Sequence, residues 1–324
     1  YSRWIDDKKR RETWPETVDR YIGFITKHQP DIPEKTIRKI KKYVTSFEVM
    51  PSMRMLWAAG PPAEKDNTCI YNCSFANIDS IESFAECLHI LMCGTGFGFS
   101  VSEKHVNKLP VVPELSGEEL PDYVVPDSKE GWADSVKVLM NSLYEGKHIH
   151  FDYSELRPEG ARLATMGGRS SGPAPLIRLH QFIREVFSKA QGRKLRPIDC
   201  HDVCNQIAEI VVSGGVRRSS QISLSDLDDE KMRDAKIWPF PLRRAMANNS
   251  AVYESKPTAV EFLKEWATLA ASGTGERGIF NLEGARNSSP SRRNGNLIEG
   301  TNPCGEIMLR DQEFCNLSEI VVKD

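Results

Sequence analysis

Five consecutive residues, Asn302-Pro303-Cys304-Gly305-Glu306, set a thiol between proline and glycine, with an amide two residues before it and a carboxylate two residues after. Proline and glycine around a cysteine hold it at a loop tip rather than inside a hydrogen-bonded ladder. The Asn302 amide can donate and accept, and the Glu306 carboxylate can take or return a proton. On spacing alone, a turn around a buried thiol explains the same string equally well. Eleven residues on lies Cys315, in Phe314-Cys315-Asn316-Leu317, and far upstream lies Cys73, in Tyr71-Asn72-Cys73-Ser74-Phe75.

Other features invite chemistry more weakly. The chain has eight cysteines in 324 residues, too few for a disulfide scaffold. In a reducing compartment they serve as core residues, metal ligands or redox groups. Cys200 and Cys204 are spaced i, i+4 around His201, but no fourth ligand lies near in sequence, which favours a packed helix over a metal face. Cys87 and Cys93, on or at the end of an apolar helix, read as core thiols. Gly94-x-Gly96-x-Gly98 has the spacing of neither the dinucleotide nor the phosphate-loop motif, and fits close backbone approach at a sheet wall. Ser170-Ser171-Gly172 ahead of a helix offers backbone N–H groups to a substrate, or simply starts that helix. Arg217-Arg218 suits nucleotide phosphates and a structural carboxylate equally.

These residues need a scaffold, and the pattern supplies one. Residues 1 to about 60 read as helices: Pro15 in a first turn, then Val18, Ile22 and Ile25 on one face, then Ile37, Ile40 and Val44. Ile81 to Met92 and Trp132 to Tyr144 are further helix candidates, separated by a Pro-, Gly- and acid-rich excursion. His148 to Asp152 reads as a strand, 174–189 as a helix, and a second helix runs from about Asp199 to a glycine cap at Gly214-Gly215. Ser219 to Leu224 alternates like a strand, Thr258 with Glu261 caps a helix reaching Ser272, and Gly278 to Leu282 follows as a strand. Interleaved strands and helices predict an α/β fold around a sheet with parallel strands, open or closed as a barrel. Hydrophobic residues at 40% and charged residues at 27% are ordinary for a soluble protein, and a net charge of -2 points to neither nucleic acid nor membrane surface. No apolar run approaches a membrane span and no secretory signal opens the chain, so the cytoplasm is expected. The first residue, Tyr1, and the abrupt end at Asp324 suggest a fragment or one product of a split gene.

With these strings assembled in order, the sequence resembles ribonucleotide reductases of the adenosylcobalamin-dependent class, most nearly the monomeric kind that act on ribonucleoside triphosphates. The resemblance is carried by Tyr1-Ser2-Arg3-Trp4, Trp14 with Glu16-Thr17-Val18, Pro51 to Trp57, Tyr71 to Phe75 and Gly96-Phe97-Gly98-Phe99-Ser100. It continues through Glu130-Gly131-Trp132, Arg157 to Ala161, Gly167 to Pro173, Gly215 to Ser219, Asn248-Asn249-Ser250, Glu299 to Glu306 and Phe314 to Leu317. It implies an N-terminal helical region over 1–60, then over 61–324 the first half of a ten-stranded α/β barrel with a catalytic finger loop. The stretch 101–147 would be the excursion for an effector site, shorter than in the monomeric enzymes, implying reduced effector control or control that needs a dimer.

The resemblance also implies roles. Cys304 becomes a thiyl radical that removes the 3′ hydrogen of the substrate ribose, Glu306 takes the 3′-hydroxyl proton, and Asn302 binds a ribose hydroxyl. Cys73 and Cys315 form the dithiol that protonates the departing 2′-hydroxyl and closes a disulfide; the Asn-Cys-x-Phe context favours Cys73 over Cys69 for this part. The implied partners are adenosylcobalamin, a ribonucleoside triphosphate, a deoxynucleotide effector, a thioredoxin-like or dithiol reductant and a C-terminal half carrying the other barrel strands. Three rivals remain in view. The large subunit of an iron-dependent reductase shares the same cysteines; a half-reductase that only binds nucleotide has no use for a redox triad; a zinc module lacks paired ligand spacing.

Overall fold

Helix α1 (Trp14–His28) begins where Thr13 accepts a hydrogen bond from the Glu16 N–H and the Glu16 carboxylate reaches back to the Thr13 N–H, with Pro15 in the first turn. Helix α2 (Glu34–Thr45) follows Pro33. The expected apolar stripes meet: Val18, Tyr21, Ile22, Ile37, Val44 and Leu56 form one buried cluster, with Ile25 and Ile40 packed against it. The computed structural model describes residues 1–163, 169–213 and 219–322, and only the backbone of 212 and 213. These group into two compact units, residues 1–73 with 314 onward, and residues 74–313. In the first unit the strand Val49–Met50 pairs antiparallel with Glu319–Ile320.

Strands β1 (Cys73–Asn77), β2 (Gly96–Ser100), β3 (Gln221–Asp226), β4 (Ala247–Tyr253), β5 (Gly278–Asn281) and β8 (Glu313–Cys315) form a six-stranded sheet in the order β5-β4-β3-β2-β1-β8. β2, β3, β4 and β5 are parallel, with Phe97 opposite Gln221, Ser223 opposite Asn249 and Gly278 opposite Ser250. A separate antiparallel hairpin is made by β6 (Gly300–Thr301) and β7 (Met308–Leu309). The mixed α/β architecture expected from the sequence is therefore present, with a sheet dominated by parallel strands.

A helical layer packs with this sheet through α3 and α6: α3 (Ile81–Met92), α4 (Lys129–Tyr144), α5 (Ala174–Ala190) and α6 (Pro197–Ser213). Successive members pack on one another, and α3 also packs on α6. Phe84, Leu88, Leu139, Met140, Leu176, Leu179, Ile183, Val203 and Ile207 are fully or nearly fully buried there. α7 (Ala259–Ser272) has the capping box expected of Thr258 and Glu261. The glycines expected to end α6 lie outside the described residues. The strand expected over His148–Asp152 shrinks to Phe151–Asp152, paired with Tyr123–Val124. Pro121 and Pro126 flank that partner and cannot donate to a longer ladder.

The Cys200–His201–Cys204 segment lies inside α6 and belongs to the core. His201 is bonded at Nδ1 to the Ser223 hydroxyl (2.9 Å) and at Nε2 to the Asn205 amide (3.1 Å). Burial pushes both thiols upward in pKa and holds His201 down at about 3. His180, between the Tyr153 hydroxyl (2.7 Å) and the Ser135 hydroxyl (3.0 Å), is likewise held by burial at about 3. The unfolded chain binds these protons near pH 6.5, as free histidine does, while the folded chain refuses them until about pH 3. Stability is thus full above about pH 6.5 and falls as the pH drops, by up to about 2 kcal/mol per histidine between pH 7 and 5. Urea midpoints at those two pH values should differ accordingly, and His201→Asn should shrink the difference. Equal midpoints would contradict the buried neutral assignment.

Candidate active site

Thr301 and Met308 are the last paired residues of the β6–β7 hairpin, and the six residues beyond Thr301 up to Ile307 form its tip. The tip is closed from within. The Asn302 N–H donates to the Ile307 carbonyl (3.1 Å), and the Ile307 N–H returns to Asn302 Oδ1 (3.0 Å). The Thr301 hydroxyl lies 3.0 Å from the Ile307 carbonyl and 3.3 Å from Asn302 Oδ1. The Gly305 N–H donates to the Asn302 carbonyl (2.9 Å), and Gly305 takes a φ of +85°, which a side chain would strain.

This arrangement fixes what each residue can offer. Asn302 is buried and its Oδ1 is committed to the loop, so the amide's donor end is the part that can meet a hydroxyl oxygen. Cys304 and Glu306 are exposed on the same tip. Of the eight cysteines, Cys304 alone is exposed. The bland alternative, a turn around a buried thiol, does not describe this loop.

Two glycines seat the hairpin on the sheet. At Gly98 of β2 a methyl group would overlap the Thr301 carbonyl oxygen, and at Gly300 it would overlap the Phe75 ring of β1. Close backbone approach is therefore what Gly98 provides, as its spacing suggested; it is not a nucleotide loop.

Cys73 and Cys315 stand on neighbouring strands, β1 and β8. The Asn72 N–H donates to the Cys315 carbonyl (3.0 Å). The Asn72 side-chain oxygen accepts from the Ser52 hydroxyl (3.1 Å) and the Leu317 N–H (3.2 Å), and Tyr71 packs on Phe314 with ring centres 5.0 Å apart. Segments some 240 residues apart in sequence are thereby tied side by side. Cys315 is buried and Cys73 half-buried.

Ser170, Ser171 and Gly172 lead into α5. The Ser170 hydroxyl accepts from the Gly172 N–H (3.0 Å), and Pro173 caps the helix without a side-chain hydrogen bond. Arg217 and Arg218 lie outside the described residues. Reading the sequence missed Phe75, Asn77 and Thr301 as supports of the hairpin. Gly300, inside the Glu299-Gly300-Thr301 string, was the one available signal, since a glycine at a strand start asks what backbone or ring lies against it.

Comparisons agree with this geometry. Residues 107–187 match the family described as B12-dependent ribonucleotide reductase, insertion domain, and residues 241–324 match the ribonucleotide reductase barrel domain. The adenosylcobalamin-dependent ribonucleoside-triphosphate reductase of Lactobacillus gasseri is 30% identical over 402 aligned positions, covering 99% of this chain and 53% of that protein. The enzyme of the same name from Levilactobacillus brevis is 29% identical with the same coverage. The chain thus spans about half the length of these curated relatives. A crystal structure of a B12-dependent (class II) ribonucleotide reductase superposes with a TM-score of 0.82 at 26% identity, over 99% of this chain and 54% of that one. The alpha subunit of a class Id ribonucleotide reductase from Actinobacillus ureae shares the fold at a TM-score of 0.51 and 13% identity; the class I alternative is not favoured, because the matched insertion domain and the curated relatives are of the B12-dependent kind. With a thiol-bearing hairpin seated on a parallel sheet, and both domain types matched in order, the chain belongs to the adenosylcobalamin-dependent ribonucleotide reductase family.

Proposed function

We propose that the reductase containing this chain converts ribonucleoside triphosphates to deoxyribonucleotides by thiyl-radical chemistry, with Cys304 as the radical residue. One observation carries the reading: Cys304 alone among the cysteines is exposed, on a hairpin tip whose backbone is closed by Asn302 and Thr301. When bound, adenosylcobalamin supplies a carbon-centred radical able to take a hydrogen atom from a thiol. What such a cofactor requires of this chain is a reachable S–H, and the exposed Cys304 fits that need.

The chain's own residues then divide the work. Cys304 removes the 3′ hydrogen of the ribose and later returns one. Glu306, two residues away on the same tip, takes the 3′-hydroxyl proton, and the donor end of the Asn302 amide holds a ribose hydroxyl. Cys73 and Cys315 give the departing 2′-hydroxyl a proton and the product two electrons, forming a disulfide between strands β1 and β8. An external dithiol or thioredoxin-like protein resets the pair by exchange, which suits a reducing cytoplasm. Ser170, Ser171 and Gly172 are proposed to offer polar groups to the substrate. The triphosphate preference follows the names of the relatives, and a deoxynucleotide effector is proposed for the insertion domain. The C-terminal remainder of the reductase is the further partner. No helix among the described residues is long and apolar enough to cross a membrane.

The test uses full-length, prereduced enzyme with adenosylcobalamin under anaerobic conditions and no added reductant. A stoichiometric burst of deoxynucleotide is expected, and Cys315→Ser should remove it. An undiminished burst in Cys315→Ser would exclude that residue from the dithiol. Product that forms only on adding an iron-radical subunit would move the enzyme to the other class.

A further inference from the structure

The supports of the hairpin converge on a residue that the proposed chemistry does not use. Asn77 ends strand β1 and is 4% exposed. Its Nδ2 donates to Glu299 Oε2 (2.6 Å), and its backbone N–H donates to Asp311 Oδ1 (2.8 Å). Glu299 immediately precedes β6, and Asp311 lies two residues after β7. One residue therefore holds both legs of the hairpin at its base. The same Glu299 oxygen lies 3.6 Å from His105 Nε2, and the Glu299 N–H closes the base onto the Leu309 carbonyl (3.0 Å). Nearby, Lys108 pairs with Asp79 (2.8 Å).

We infer that Asn77 is the positioning residue of the catalytic hairpin, setting where along the sheet the Cys304 thiol stands; this rests on the assignment of Cys304 as the radical residue. Stability alone gives a weak reason for an asparagine here. Its Oδ1 is buried without a hydrogen-bond partner among the described residues, an arrangement that costs free energy and that an apolar side chain would avoid. The donor end is what the site uses, and it meets a carboxylate, the stronger kind of hydrogen bond. The geometry then amplifies any slack. Cys304 lies five residues beyond Glu299, and five residues of extended chain reach about 15 Å. A tilt of about 4° at the base moves the thiol by about 1 Å, and a 1 Å misplacement of a reacting group costs on the order of 10²-fold in rate.

The test is made in the full-length reductase with cofactor and reductant present. Asn77→Asp sets a carboxylate against Glu299 and should lower kcat by at least about tenfold while the KM for ribonucleotide stays within about threefold. Adding Glu299→Gln reverses donor and acceptor across the same contact, so the double variant N77D/E299Q should recover most of the lost kcat. A loss of packing alone would not be repaired by that exchange. Asp311→Ala removes the second leg's anchor at an exposed position and should lower kcat by several-fold at temperatures well below its thermal midpoint; it carries the test if Asn77→Asp fails to fold. Unchanged kcat in Asn77→Asp, a double variant no better than the single one, or unchanged kcat in Asp311→Ala would overturn the inference. Cys304→Ser, run alongside, separates the two claims: activity surviving in it would sink the radical assignment, whereas its loss beside a fully active Asn77→Asp would sink the positioning role alone.

Discussion

Cys304→Ser in the full-length reductase is expected to abolish deoxyribonucleotide formation, by roughly 10⁴-fold or more, the scale reached when a group that forms the covalent or radical intermediate is removed. Serine keeps the size and the hydrogen-bonding capacity of the residue but replaces a readily abstracted S–H hydrogen by an O–H hydrogen. The tip is closed by Asn302, Thr301, Ile307 and the positive φ of Gly305. Thermal midpoint and nucleotide affinity should therefore be unchanged in the variant. Turnover within about tenfold of the parent would mean that another residue carries the radical.

Gly300→Ala is expected to have the second-largest effect, for a steric reason. The added methyl would overlap the Phe75 ring, itself fully buried on β1. The ring belongs to the core and has little room to rotate, so the hairpin must lift from the sheet. A lift of about 1 Å would lower kcat by on the order of 10²-fold, on the same argument as any misplaced reacting group. Gly98→Ala attacks the seat from the other side, where the methyl meets the backbone carbonyl of Thr301, and should act similarly. Phe75→Leu, by freeing space under Gly300→Ala, should restore part of the rate. Full activity in Gly300→Ala would contradict the seating of the hairpin described here.

Much of the scaffold was legible in the sequence because period and capping agree locally. α3, α5 and α7 begin and end within a few residues of where their apolar repeats and caps place them. The strands were harder. β1 reads Cys-Ser-Phe-Ala-Asn and β4 reads Ala-Asn-Asn-Ser-Ala-Val-Tyr; each sets polar residues at buried positions, so the alternation that marks a half-buried strand is missing. Their polar side chains face partners that only the fold supplies, as Ser74 does in donating its hydroxyl to the Gly96 carbonyl (3.1 Å).

The site divides in the same way. The tip string from Asn302 to Glu306 was visible as chemistry because rare residue types stand side by side. Its supports were not visible: Phe75 and Gly300, or Asn77 and Asp311, are more than 200 residues apart in sequence. Each is unremarkable alone, and only the contact gives it meaning. Cys73 and Cys315 were paired by resemblance, and the structure adds the Asn72 contacts that set their strands side by side.

The proposed seat of the working radical on Cys304 can be observed by rapid freeze-quench electron paramagnetic resonance. Full-length enzyme would be mixed with adenosylcobalamin and ribonucleoside triphosphate, once with ordinary cysteine and once with cysteine deuterated at Cβ. A transient sulfur-centred signal that narrows on deuteration and is missing from Cys304→Ser is the expected result. A signal indifferent to the deuterium, or one that persists in Cys304→Ser, would contradict it.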